Sequence, residues 1–487
     1  EESDTLLLRG AAAGTVDVST ADGALTVGPA GLSAGGALTL ATADADSDTG
    51  DHLRVQGPLV STGAGTVTLT AADNVEAAAA VSNQSGNLVV TATAGTIGGA
   101  GTYGGESLSL VAGSGIDART AATTLDAAVS GAGALVLEEL DDLVLDDLGA
   151  GAAGALTTLN GPITVTVGGS IQDADSGAAV SEGSSGGLGP QGLTLTAADD
   201  LTFDKASLTA VGIATLTAGG ALTVDNGIDS DAELTGPTVL LLAANGITVD
   251  TDITLLQATN SGSGGVAIRE VDTGSANGLV IGGTGISSSA GGITVDAATS
   301  LSVNSVLTAD TNIALTGTDN LSLNAKVDSV SGRVTATVTD SDDNNTATLT
   351  VAAEVSGNDS AAGDGVVLTV SDPDSTSETL VVSTATHNRR GSTTFEANDG
   401  TLDIDAAVEA DGSLDLHGGT ALQLAANLAA GNTLTVHDAL ILDGGTPTLT
   451  STSGDVVLAG DVSGGQSLTV NAPSGTVDFQ STAGAGT

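Results

Sequence analysis

Between Leu402 and Val436 the apolar residues recur at a spacing of twenty. Leu402, Val408 and Leu414 are followed by Leu422, Leu428 and Leu434. The same spacing appears upstream, where Ile293, Leu301 and Leu307 are answered by Ile313, Leu321 and Val327. Within each repeat, runs such as Leu402–Ile404 and Leu414–Leu416 flank one polar position with two apolar ones, the alternation of a half-buried strand. A repeat this short cannot bury its apolar face alone, but it can do so by stacking on the next copy. The pattern therefore predicts an all-β solenoid, a parallel β-helix with coils of about 20–25 residues and loop insertions.

The cadence extends over most of the chain. Triplets stand at 16–18, 25–27 and 38–40, then again at 193–195 and 201–203, with a step of 21 residues from Leu201 to Leu222. Gly35-Gly36, Asp73-Asn74 and Gly98-Gly99 are placed to supply positive-φ corners. We expect a β-helix over 1–338, with the polar stretches 41–51, 172–191 and 258–265 projecting as loops. Residues 339–400 hold strand-like pieces without the twenty-residue register and read as an irregular insertion or distorted coils. The β-helix continues over 401–487. Residues 135–148 are rich in Leu and Glu, which favour helix. Their eight-residue internal repeat starts each unit with an alternating triplet, so two consecutive strands with acidic corners are expected. About 18–20 coils at a strand spacing of ~4.8 Å predict a rod on the order of 90 Å long.

Composition narrows the function. The only aromatics are Tyr103, Phe203, Phe395 and Phe479, so the core must be aliphatic ladders. With 59 acidic and nine basic residues the net charge is −50, which repels nucleic-acid phosphates and anionic membrane surfaces. Cysteine is absent, which removes disulfides and thiolate chemistry. No apolar run approaches the ~18 residues of a membrane span, so no membrane insertion is expected. The chain opens on Glu1 without a signal peptide and closes on a Gly/Ala stretch, and it reads as a mature or excised part of something longer.

The runs ALTL (37–40), GLTLTAADDLTF (192–203), GGALTV (219–224), GGITVDAATSLSV (291–303) and NIALTGTDNLSL (312–323) resemble the repeats of filamentous-haemagglutinin-like large bacterial exoproteins. The resemblance covers most of residues 10–338 and 401–487. It implies a right-handed coil and an extracellular or cell-surface location in bacteria. It also implies a structural or adhesive role, with loops presented to a host or neighbouring-cell surface, a glycan or matrix, or copies of the same chain. The alternative is a self-assembling subunit of a surface fibre or layer, stabilised by calcium.

Three groups of residues could bind metal. Asp44, Asp46, Asp48 and Asp51 alternate as carboxylates do around a hard cation such as calcium, and Asp340, Asp342 and Asp343 form a second acidic cluster. The plain alternative for both is a solvated acidic loop. His417 and His437 lie twenty apart, each just after a strand triplet, so stacking should bring them within roughly ~5 Å. With Asp438 they could hold a transition metal, and the plain alternative is a ladder at a coil edge. Parallel β-helices also carry carbohydrate-active sites, but those need groups that stack on sugars or neutralise acids. This chain has no Trp, one Tyr, and only Lys205 and Lys326 as lysines. No enzyme is expected.

Overall fold

The computed structural model describes residues 6–45, 49–149, 154–175, 177, 179–183, 191–227, 232–271, 278–340, 347–358, 363–371 and 378–481. Its regular elements are β-strands that pair in parallel, the ladder of a parallel β-helix. No helix among the described residues is long and apolar enough to cross a membrane. The strands fall into two compact units, Glu1–Ala243 and Ala244–Thr487.

The second unit is the more regular. One face begins with residues 247–251, which pair with Val266–Glu270. It continues through Ile293–Ala297, Ile313–Gly317, Val334–Thr339, Asp364–Ser371 and Ser392–Ala397. Leu414–His417, Leu434–Val436, Val456–Leu458 and Val477–Phe479 complete it. These eleven rungs stack to roughly 50 Å at the usual strand spacing. The spacing of twenty is the stacking period itself. Leu402 pairs with Leu422, Val408 with Leu428, Leu414 with Leu434, Ile293 with Ile313, Leu301 with Leu321, and Leu307 with Val327. All of these side chains are buried, as is Phe395, which lies between Leu368 and Leu416 on neighbouring rungs. Removing these aliphatic surfaces from water, at about 25 cal/mol per Å², is the main force joining one coil to the next.

Of the two readings of residues 339–400, an irregular insertion or distorted coils, the strand pairing fits the second. Their strands continue the ladders on every side: Thr348–Val351 pairs with Asn320–Leu323, and Thr379–Val382 with Thr401–Ile404. The cadence is lost because the corners lengthen while the strands keep register. Val334 pairs with Val366, thirty-two residues on, and Val366 with Thr393, twenty-seven on. All three expected loops also contain strand: residues 41–42 end the strand Leu38–Thr42. Val180–Glu182 lies inside 172–191, and residues 258–260 end the strand Ile247–Asn260.

In the first unit the five-residue strands change face. Leu38–Thr42, Val67–Ala71 and Asn87–Ala92 stack on one row and lead to residues 108–112. Leu135–Glu139, Ile163–Val167, Leu193–Ala197 and Ile213–Ala218 stack on another. The fifteen-residue strand Gly115–Val129 belongs to both. Its residues 116–120 pair with 135–139, and its residues 125–129 pair with 108–112. Residues 135–148 form strands, Leu135–Glu139 and Leu143–Leu145, as their alternating triplets require.

Corners are closed both by glycines at positive φ and by polar side chains. Of the glycines expected at positive φ, only Gly99 has one, at 113°, while Gly35 is glycine for space: a Cβ there would lie 2.4 Å from the Ala13 carbonyl oxygen. Several short strands end on a small or amide side chain turned inward, as Leu59–Ser61, Val81–Asn83 and Val327–Ser329 do. Asn83 Nδ2 donates to the carbonyls of Gly65 and Asn87, both at 2.8 Å. Asn260 Nδ2 donates to Ser263 and Gly264, and its Oδ1 accepts from the Gly246 amide. Outside the core, an aspartate or asparagine caps the amide one coil further on. Asn74 does this for Thr96, Asp200 for Ala221, Asn312 for Arg333, Asn427 for Thr448 and Asp455 for Thr476. The Thr476 amide and hydroxyl hold the Asp455 carboxyl below the ordinary carboxylate range.

Candidate functional site

The strand Leu414–His417 turns Leu414 and Leu416 into the core, which leaves Asp415 and His417 on the outer surface. One coil on, Leu434–Val436 stacks on it, and His437 follows as its amide donates to the Leu416 carbonyl at 3.0 Å. Stacking therefore brings the two imidazoles together. Their centroids lie 3.7 Å apart with planes 9° from parallel, inside the separation expected from strand spacing. Asp415 joins them: its Oδ1 lies 2.6 Å from His437 Nε2 and its Oδ2 3.9 Å from His417 Nε2. One donor atom from each of the three falls within 4.8 Å of the other two.

Asp438, named beside these histidines from the sequence, does something else. Its Oδ2 accepts from the amides of Gly418 and Gly419, at 2.9 and 3.2 Å, and so fixes the corner that follows His417. The carboxylate that meets the imidazoles is Asp415. The alternation of Leu414, Asp415, Leu416 and His417 could have pointed to it, since residues two apart on a strand share a face.

Of the two acidic clusters, Asp44, Asp51 and Asp340 are among the described residues. Asp44 is exposed, whereas Asp51 is fully buried and accepts a hydrogen bond from the Gly23 amide. Asp340 is buried as well, with its amide donating to the Ser371 carbonyl. Asp46, Asp48, Asp342 and Asp343 lie outside the described residues.

Burying a carboxylate at a corner is a habit of this chain that the sequence reading missed. Glu182 is 1% exposed and accepts from four amides, those of Gln191, Gly192, Val211 and Gly212. Asp173 accepts from Asp204, Lys205 and Ala206, and Glu139 from Ala122 and Leu140. A charge removed from water needs such compensation. The signal was present: Asp173 in Ile171–Asp173 and Glu182 in Val180–Glu182 occupy the inward end of a triplet, where an aliphatic residue is expected.

The basic residues are used along the stack. Arg54 pairs with Glu76 and Arg119 with Glu138, each one rung apart in register, and Arg269 meets Asp250 in the same way. Arg389 lies 3.9 Å from Asp328 and 3.8 Å from Glu354, the two carboxylates that also face Lys326. His387 lies near Glu409 and Asp411, and His52 Nδ1 faces the side-chain amide of Asn74. Comparison with protein-family models, with curated proteins and with solved structures finds no match to this chain.

Proposed function

We propose that the chain is a structural and adhesive segment of a large bacterial surface or secreted protein, working outside the cell. Its coils form a stiff scaffold, and the longer corners, above all those within 172–191 and 339–400, present recognition surfaces to a cell, glycan or matrix. One observation carries this reading: the stacked strands keep register while length varies at the corners, from seventeen residues per coil at Leu108–Leu125 to thirty-two at Val334–Val366. Loops held by a rigid frame are where binding function concentrates in such folds. The charge of −50 keeps so much exposed sheet soluble.

The test is adhesion by the purified monomeric chain to cells and glycan arrays, run beside electron microscopy. Binding is expected, and it should fall when residues 184–190 or 341–346 are exchanged for glycine–serine of equal length. Ordered polymers without monomer adhesion would instead select a self-assembling fibre.

A further inference from the structure

We infer that Asp415, His417 and His437 form a binding site for one divalent transition-metal ion of the zinc type, linking successive coils on the outer face of the second unit. The inference does not depend on the adhesive reading. Three features support it. First, register fixes the positions: Glu396 pairs with His417, and Leu416 with Val436, so Glu396, His417 and His437 occupy one outward row on three consecutive rungs. Secondly, the donors are already grouped, all within 4.8 Å of one another. Ligands held ~2.1 Å from zinc at a tetrahedral angle stand roughly 3.4 Å apart, so the set closes by little more than an ångström as the stacked rings tilt towards the ion. Thirdly, the anchors are rigid. The strand between the ligands is pinned by buried Leu414 and Leu416, and the corner after His417 is held by Asp438 through the Gly418 and Gly419 amides.

The donor set selects the metal class. Two neutral imidazoles and one carboxylate suit zinc, copper or nickel, whereas calcium and magnesium require oxygen ligands throughout. Three protein ligands leave a fourth position open. Glu396, one rung below His417 in the same row, is the nearest side chain in register to fill it. Binding replaces the Asp415–His437 hydrogen bond, and each imidazole nitrogen that ligates the ion must present its lone pair, with any N–H on the other ring nitrogen. Because the ligands come from different rungs, the ion ties together coils that are otherwise joined by aliphatic packing and backbone hydrogen bonds.

The experiment is calorimetric titration of the full chain with zinc chloride, in excess magnesium chloride to occupy the acidic surface. Cobalt absorption serves as a second readout. One saturable equivalent is expected, with a tetrahedral-type cobalt spectrum and a zinc-dependent rise in melting temperature, since an ion that binds only the folded chain stabilises it. The double variant His417→Asn/His437→Asn should bind about 100-fold more weakly or worse and lose the thermal shift, on the scale set by loss of site ligands and their supports. His387→Asn should leave all readouts unchanged. All three histidines face outward, and circular dichroism checks the fold. Should the double variant not fold, Asp415→Asn must weaken zinc in its place. Zinc uptake without saturation in magnesium overturns the site, as does one-equivalent binding that survives the ligand substitutions.

Discussion

Single polar residues decide how each coil turns into the next. Asn260 is fully buried and serves three backbone groups. Asn260→Ala should cost about 1–3 kcal/mol, the usual penalty for orphaned buried polar groups, read as a lower urea midpoint. Asp403 is a residue working against its surroundings. It stands on the outer row between Val381 and Gln423, and burial, then the neighbouring Asp405 and Asp443, push its carboxyl above the ordinary range. A carboxyl whose folded pKa exceeds its unfolded one binds its proton more tightly when folded. It therefore costs stability at neutral pH, and that cost disappears as the pH falls through the folded pKa. Asp403→Asn should raise the urea midpoint at pH 7, and the gain over wild type should shrink towards pH 4. A constant difference across that range would show that charge is not the cause. Asp455 has the opposite sign: its depressed carboxyl supports the fold above the unfolded pKa, and that support is lost on acidification.

At the level of the strand, stability is nearest-neighbour. Leu422 is buried between Leu402 and Leu440, and its backbone partners lie only on the two adjoining rungs. Leu422→Ala should cost about 2–5 kcal/mol. Because rungs contact chiefly their neighbours, the loss should stay local. Amide exchange is expected to quicken on the rungs of Leu402, Leu422 and Leu440 and to stay unchanged near Ile293. Strand register was legible in the sequence wherever corners are short, since Leu402, Leu422 and their kin advertise the period directly. It became illegible through 339–400, where lengthened corners broke the count although the triplets persisted. The stacked histidines were legible for the same reason. Asp415 was less legible because Asp438 is the carboxylate adjacent to His437 in sequence, and Asp173 and Glu182 because inward positions are usually aliphatic. The exchange of faces at Gly115–Val129 left no trace in the period, because what changes there is which side of the coil carries the longer strand.

Across the whole molecule, a constant core and variable corners separate what holds the chain together from what it shows to its surroundings. Each unit repeats one packing solution, and insertions of a dozen residues, as between Val334 and Val366, leave strand pairing intact. The cost of lengthening such a segment grows only slowly with its length. The arrangement also has a mechanical meaning. The hydrogen bonds between rungs run along the stack, so tension applied through the two ends of the second unit would load them one rung at a time, as in a zipper. A coil of about twenty residues releases roughly 70 Å of contour when it peels away. The unit would therefore yield in a series of short extensions, each dissipating energy while the remaining rungs still bear load. An ion clasped between the Leu416 and Val436 rungs would place one stiffer tooth in that series.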